Sequence, residues 1–307
     1  MNTTSNTMPD SPAGSHDVAA TTATPTRPFF WSLQRELWEN RSLYIAPLAV
    51  VALLLFGFVL SATVGIWQRP LHIDPTQTPE KLADPYGFAA LFVMGVAFIV
   101  GIFYSIDCLY GERRDRSILF WKSLPVSDLI TVLSKAAIPM VLLPLFSYLL
   151  TVAVQCFMLL YSTLVVAASG QSVAMLWSKV HLFRMSSDLL YHLITVHMLW
   201  YAPIYGWLLL VSAWARRAPF LWAFLPPLGI GVFERFTFHT THVSALLHYR
   251  LGGPESAAPV KGHEAMGSAF SIDPGVFFSA PGLWVGLVFA ALCLAAAVRL
   301  RRYREPI

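Results

Sequence analysis

Charge is the scarcest commodity in this sequence: Asp, Glu, Lys and Arg make up 12% of its 307 residues, against about 25% in ordinary soluble domains. Cysteine is nearly absent. Cys108, Cys156 and Cys293 lie within or at the ends of apolar runs, where a thiol behaves as a small hydrophobe, and no metal-binding or disulfide spacing links them. There is no Gly-x-x-x-x-Gly-Lys-Ser/Thr run to cradle nucleotide phosphates. There is also no His-Glu-x-x-His pair and no Gly-x-Ser-x-Gly elbow, which removes the familiar intramembrane hydrolases from consideration. Paired interrupted helices in repeated halves, the mark of many secondary transporters, are missing too. The chain itself is therefore expected to be no enzyme.

What fills the space is hydrocarbon. Hydrophobic residues reach 56% and mean hydropathy is +0.59. The apolar runs are continuous and rich in Leu, Val, Ala and Phe, as helices that cross a membrane require, and do not alternate as barrel strands would. The expected fold is an all-α integral membrane protein. Six spans are read at Tyr44–Ile66, Gly87–Leu109, Ala136–Val166, His192–Ala213, Pro219–Phe233 and Gly282–Val298. Together they make one transmembrane domain over 44–298. Pro139 and Pro144 are expected to kink the third span. Pro226 and Pro227 should divide the short fifth into a broken or re-entrant pair.

The first 28 residues are rich in Thr, Ser, Ala and Pro, and are expected to form a disordered cytoplasmic tail. Asp10 and Asp17, with no apolar stretch after them, argue against a secretory signal. Most Lys and Arg fall on segments that an N-in topology puts inside, including a basic tail over 299–307. Both termini are then cytoplasmic, in a multi-pass protein of the cell inner membrane. Topology and anionic lipid account for the basic pI of about 9.0, and nucleic acid is not an expected partner.

Two segments stand apart from the spans. Over 29–43, Phe30, Leu33, Leu37 and Trp38 recur with helical spacing while Arg35, Glu36, Glu39 and Asn40 fall elsewhere. The pattern predicts an amphipathic helix lying in the lipid headgroup layer, with extension of the first span as the alternative. The second segment, 111–128, reads Gly-Glu-Arg-Arg-Asp-Arg-Ser-Ile-Leu-Phe-Trp-Lys-Ser-Leu-Pro-Val-Ser-Asp. A charged turn with Glu112 and Arg116 four apart is followed by Ile118, Leu119, Phe120, Trp121 and Leu124. Pro125 stops this short helix, and Ser127 or Asp128 caps the next. Its apolar groups need burial, in a groove of a cytoplasmic partner or in the bilayer interface.

The outer regions, 167–191 and 234–280, exceed what a minimal channel needs. The first suits an amphipathic surface helix. The second contains His239, His242, His248 and His263, of which His239 and His242 at i, i+3 are weak metal candidates; ordinary loop histidine is the better account. Ionisable residues in or near the spans, Asp107, His192, His197 and the adjacent Glu234 and Arg235, are read mainly as water-facing or self-paired groups.

The run from Tyr110-Gly-Glu-Arg-Arg-Asp115 through a short apolar helix to Ser-Leu-Pro-Val-Ser127 resembles the type-2 ABC-transporter permease family, as does the order of amphipathic helix, spans and basic tail. Where that family often carries Gly-Thr after the charged turn, this chain has Arg116-Ser117. The resemblance implies an ABC exporter subunit with no cofactor of its own. Its partners would be a separate ABC ATPase subunit carrying ATP and Mg, a second permease subunit as homodimer or paralogue pair, and membrane lipid. It also implies that Glu112, Arg113, Arg116 and Trp121 face the ATPase. A non-transporting membrane scaffold that recruits a cytoplasmic partner through the same loop is the alternative.

Overall fold

The computed structural model describes residues 26–68, 79–123, 126–253 and 273–304, and every regular element among them is helical. The expected tail, up to residue 25, lies outside the described residues, as do Leu124, Pro125, His263 and residues 305–307.

The chain opens with α1 (Thr26–Glu39), α2 (Ser42–Gln68) and α3 (Pro79–Arg114), and a two-turn helix α4 (Ser117–Lys122) follows. Next, α5 (Asp128–Ala137) starts where the Ser127 hydroxyl accepts the Ile130 amide at 3.2 Å, one of the two expected caps. A π-helical turn over Ile138–Leu142 joins α5 to α6 (Leu143–Ala168). Pro139 sits in that turn, and because proline offers no N–H to the carbonyl four residues back, the widened turn accommodates its ring.

The expected outer helix is two pieces, α7 (Val173–Lys179) and α8 (Leu182–His192). The latter continues as a π-helical stretch, Leu193–Trp200, before α9 (Ala202–Trp214). The chain bends by 43° between Trp200 and Ala202. The break expected at Pro226–Pro227 thus falls instead in the fourth span, next to Pro203. In contrast, α10 (Pro219–Phe238) runs through both prolines as one helix. The carbonyl that Pro227 leaves without its helical partner belongs to Ala223, and the Trp207 indole N–H donates to it at 3.0 Å. A side chain from α9 thereby replaces the bond that would otherwise open the helix. After α10 come α11 (His242–Gly252), α12 (Pro274–Ser279) and α13 (Pro281–Tyr303).

Four helical stretches are long and apolar enough to cross a membrane, Ser42–Val64, Ala83–Arg114, Asp128–Ala168 and Pro281–Tyr303, and the bent pair ending in α9 makes a fifth. The expected fifth span, in α10, is not among them; Pro226, Pro227, Glu234 and Arg235 dilute its apolar run. Large apolar side chains such as Leu53, Phe56, Val285 and Leu292 point outward, an arrangement stable against hydrocarbon and costly against water.

The α9–α13 contact is close because Gly206 has no side chain. A Cβ there would stand 3.1 Å from the Ala290 Cα, the small-residue approach by which apolar helices associate without a hydrophobic driving force. At one end of the bundle Leu43, Tyr104, Val132, Leu209 and Ala297 form a core into which Leu33 and Leu37 of α1 reach.

Candidate functional site

That end of the bundle carries most of the molecule's buried charge. On α1, Glu36 follows Leu33 by three residues and precedes Leu37 by one, so the stripe that buries the leucines buries the carboxylate too. It is 1% exposed. Its Oε1 accepts from Lys135 Nζ of α5 at 2.7 Å and from Arg35 Nη2 at 2.7 Å, and its Oε2 accepts from the Tyr104 hydroxyl of α3 at 2.8 Å. Glu112, near the end of α3, is also buried. Its Oε1 lies 2.9 Å from Arg35 Nη2 and 3.2 Å from Lys135 Nζ, while its Oε2 pairs with Arg301 Nη1 of α13. Arg301 Nε reaches Asp128 Oδ1 at 3.1 Å.

Three cations, Arg35, Lys135 and Arg301, thus face the carboxylates of Glu36, Glu112 and Asp128 across four helices, and the exposed Glu39 adds a fourth carboxylate 3.4 Å from Arg35 Nε. Burial works against the Arg35 charge, but Glu36, Glu112 and Glu39 more than reverse that and raise its pKa. Each buried carboxylate oxygen of Glu36 and Glu112 has a donor, the condition under which such a cluster is tolerated.

The short helix α4 is tied to this knot through one residue. The Arg35 guanidinium carbon lies 3.7 Å from the centre of the Trp121 ring, a cation–π contact. Ile118 is buried, whereas Leu119 and Phe120 are 58% and 61% exposed. Among the described residues of this apolar run, Leu119 and Phe120 form the outward side and Ile118 the anchoring side.

Of the four residues assigned to the ATPase-facing segment, two point inward. Glu112 is the centre of the knot, and Arg113 is buried with its Nη1 donating to the carbonyls of Ala213 and Ala215 at 2.7 and 3.1 Å. Arg116 is exposed and takes a left-handed backbone conformation, φ 58°. Trp121 is half-buried beneath Arg35. On α1 the expected apolar face divides: Leu33 and Leu37 pack inward, while Phe30 and Trp38 are exposed together with Trp31. Glu36 was grouped with the polar side. A carboxylate between two inward leucines, and Lys135 inside the apolar start of the third span, were the signals in the sequence that a buried pair existed.

At the opposite end, His239 sits in the turn after α10 with φ 54° and His242 begins α11, so they share no helical face. Among the described residues no group of three or more His, Cys, Asp or Glu is arranged so that it could hold a metal ion. Glu234 does not pair with its neighbour Arg235. It gathers the start of α11, its Oε1 accepting from the Thr240 hydroxyl and the His242 amide, both at 2.7 Å, and its Oε2 from the Val243 amide at 2.8 Å. These donors, the Val243 amide first, hold its carboxyl below the usual carboxylate range. Arg250 on α11 clamps the bend: Nη1 donates to the Trp200 carbonyl at 3.1 Å, Nη2 to the Gly282 carbonyl at 2.8 Å, and the guanidinium lies 4.7 Å from the Trp200 ring centre. Gly286 leaves the notch it occupies, since a Cβ there would come within 2.4 Å of Arg250 Nη2, and Gly282 makes room for the Tyr249 ring. His192 and His197 are stacked edge-on within the π-helical region, ring centres 5.7 Å apart.

Comparison with family models, with curated proteins and with solved structures returns no match.

Proposed function

We propose that the chain is the membrane-spanning permease subunit of an ABC exporter, working as a dimer and driven by a separate ATPase that binds ATP and Mg. The observation that carries this reading is α4: a two-turn helix presenting Leu119 and Phe120 outward, held between the ends of α3 and α5 and linked through Trp121 and Arg35 to four helices at once. Force applied to such a helix reaches the whole bundle. Two further features agree. Arg116, where the resembled family often carries glycine, adopts the left-handed conformation that glycine takes without cost. In addition, α1 and the end of α13 meet in the same knot through Glu112. An even number of passes, with α10 as the sixth leg, brings both termini to one face of the inner membrane, the cytoplasmic one.

The test is to purify the tagged chain with the ATPase subunits of the same cell and assay Mg-ATP hydrolysis, placing a photocrosslinker at Phe120. An ATPase crosslinked through position 120, and no ATPase co-purifying with a separate Leu119→Asp, Phe120→Asp variant that carries no crosslinker, is the expected result. Because both side chains are exposed, those changes should leave the thermal midpoint of the isolated chain unmoved. Crosslinks to lipid alone would remove the motor from this account. A captured partner without nucleotide hydrolysis would identify a scaffold instead.

A further inference from the structure

The charged end contains a second set of cations with which no carboxylate pairs among the described residues. Arg113 Nη1 donates to the carbonyls of Ala213 and Ala215, and Arg304 Nη1 donates to the carbonyl between them, that of Trp214. Two guanidiniums therefore cap the last turn of α9, and Arg216 and Arg217 follow directly in the exposed turn before α10. Arg304 and Arg216 stand close enough to act on the Arg113 charge. The helix terminus offers only about half a negative charge against them. Among the described residues no carboxylate pairs with Arg113, Arg216, Arg217 or Arg304, although every ionic contact of the neighbouring knot is matched.

The surroundings are those of a bilayer boundary. Trp214 and Trp222 stand edge to face with ring centres 4.9 Å apart, both partly exposed, and Tyr303 projects beside Arg304. Tryptophan and tyrosine take this position at the headgroup level. Immediately below, α10 turns Leu221, Leu225 and Leu228 outward, an apolar track leading away from the arginines.

We propose that this corner, formed by Arg113, Arg216, Arg217 and Arg304 over the Trp214–Trp222 pair, is a binding site for the phosphate headgroup of an anionic phospholipid whose acyl chains lie along α10. The amphiphile matches both halves of the site: its phosphodiester supplies the missing negative charge, and its chains cover the leucines. A free phosphate or an acidic protein would supply the charge alone and leave the track bare. The site requires a membrane but no motor, so it stands or falls separately from the exporter reading.

The test uses the purified full chain, first stripped of lipid with detergent and then titrated with phosphatidylglycerol or phosphatidylcholine, bound lipid being counted by native mass spectrometry. Retention of phosphatidylglycerol over phosphatidylcholine is expected, and Arg216→Gln with Arg217→Gln should reduce it by about fivefold per charge and so about twenty-fivefold for both. These two side chains are exposed, so an unchanged thermal midpoint checks the fold. Equal retention of the two lipids, or selectivity that survives the double substitution, would overturn the proposal. So would displacement of phosphatidylglycerol by equimolar inorganic phosphate, which would mark a free-anion site, or by an equimolar polyglutamate peptide, which would mark a protein-docking one.

Discussion

Arg250 and Arg301, at the two ends of the bundle, are held in different ways. Along α13, Gly286 and Arg301 lie about 22 Å apart at roughly 1.5 Å per residue. Near the first, Arg250 is held by two neutral carbonyls and an aromatic face. At the second, Arg301 is held by two carboxylates that themselves belong to a network of opposite charges on four helices. A network of opposite charges fixes every member to several others, so removal of one strands the rest. A cation on carbonyls is a local clamp, and its loss leaves only neutral acceptors. Loss of one charge is therefore expected to loosen the whole charged end, and loss of Arg250 to loosen only its own surroundings.

The largest test of that contrast is Lys135→Met. Lys135 is 1% exposed and serves both Glu36 and Glu112, so the substitution leaves buried carboxylates in excess. It should cost about 3–5 kcal/mol, read as a fall in the thermal midpoint in detergent. Adding Glu36→Gln should recover part of the loss, since it restores the charge balance. A double variant as unstable as the two losses added together would mean the residues are not coupled, and the network idea would fail.

Arg250→Met should cost less, about 1–3 kcal/mol, because the groups left behind are the carbonyls of Trp200 and Gly282. Its signature is local: hydrogen exchange should rise in α11 and around the 43° bend and stay unchanged at the charged end. Exchange that rises equally at both ends would erase the distinction between clamp and knot. Arg116→Gly goes the other way. An L-residue at φ 58° carries about 1 kcal/mol of backbone strain, and its removal should raise the midpoint slightly. A lowered midpoint would show that the Arg116 side chain holds α4 in place.

How much of this was legible in the sequence depends on what carried the information. The long apolar runs of α2, α3, α5–α6 and α13 announced themselves, because a membrane-crossing helix must be apolar along its whole length. The position of the break did not. Two adjacent prolines look like the stronger interruption, and only the three-dimensional approach of Trp207 to the Ala223 carbonyl keeps α10 continuous. Glu112 was recognisable as important, but for its outward charge; its burial depends on Arg301 and Lys135, which arrive from distant segments. Lys135 and Arg301 registered only as topology signals; the local cue to a buried partner for Lys135 was Glu36 between two inward leucines, and Arg301 had no such cue. At Leu119 and Phe120, alternation within a single turn hid which apolar groups anchor α4 and which remain exposed.

The smallest expected effect concerns Glu234, the hairpin end's only carboxylate with three donors among those described. Its pKa lies below its ordinary value of 4.5, so the contacts that favour the charged form are fully present above 4.5 and are lost as pH falls through the depressed folded value. Protection of the His242 and Val243 amides, corrected for intrinsic exchange, should therefore be flat from neutral pH down to about that ordinary value and fall only below it. Glu234→Gln should abolish the pH dependence and expose both amides at neutral pH, while the knot residues keep their protection. Loss of protection beginning well above the ordinary carboxylate value would assign control of the hairpin to another group, with His242, the first residue of α11, as the one to substitute next.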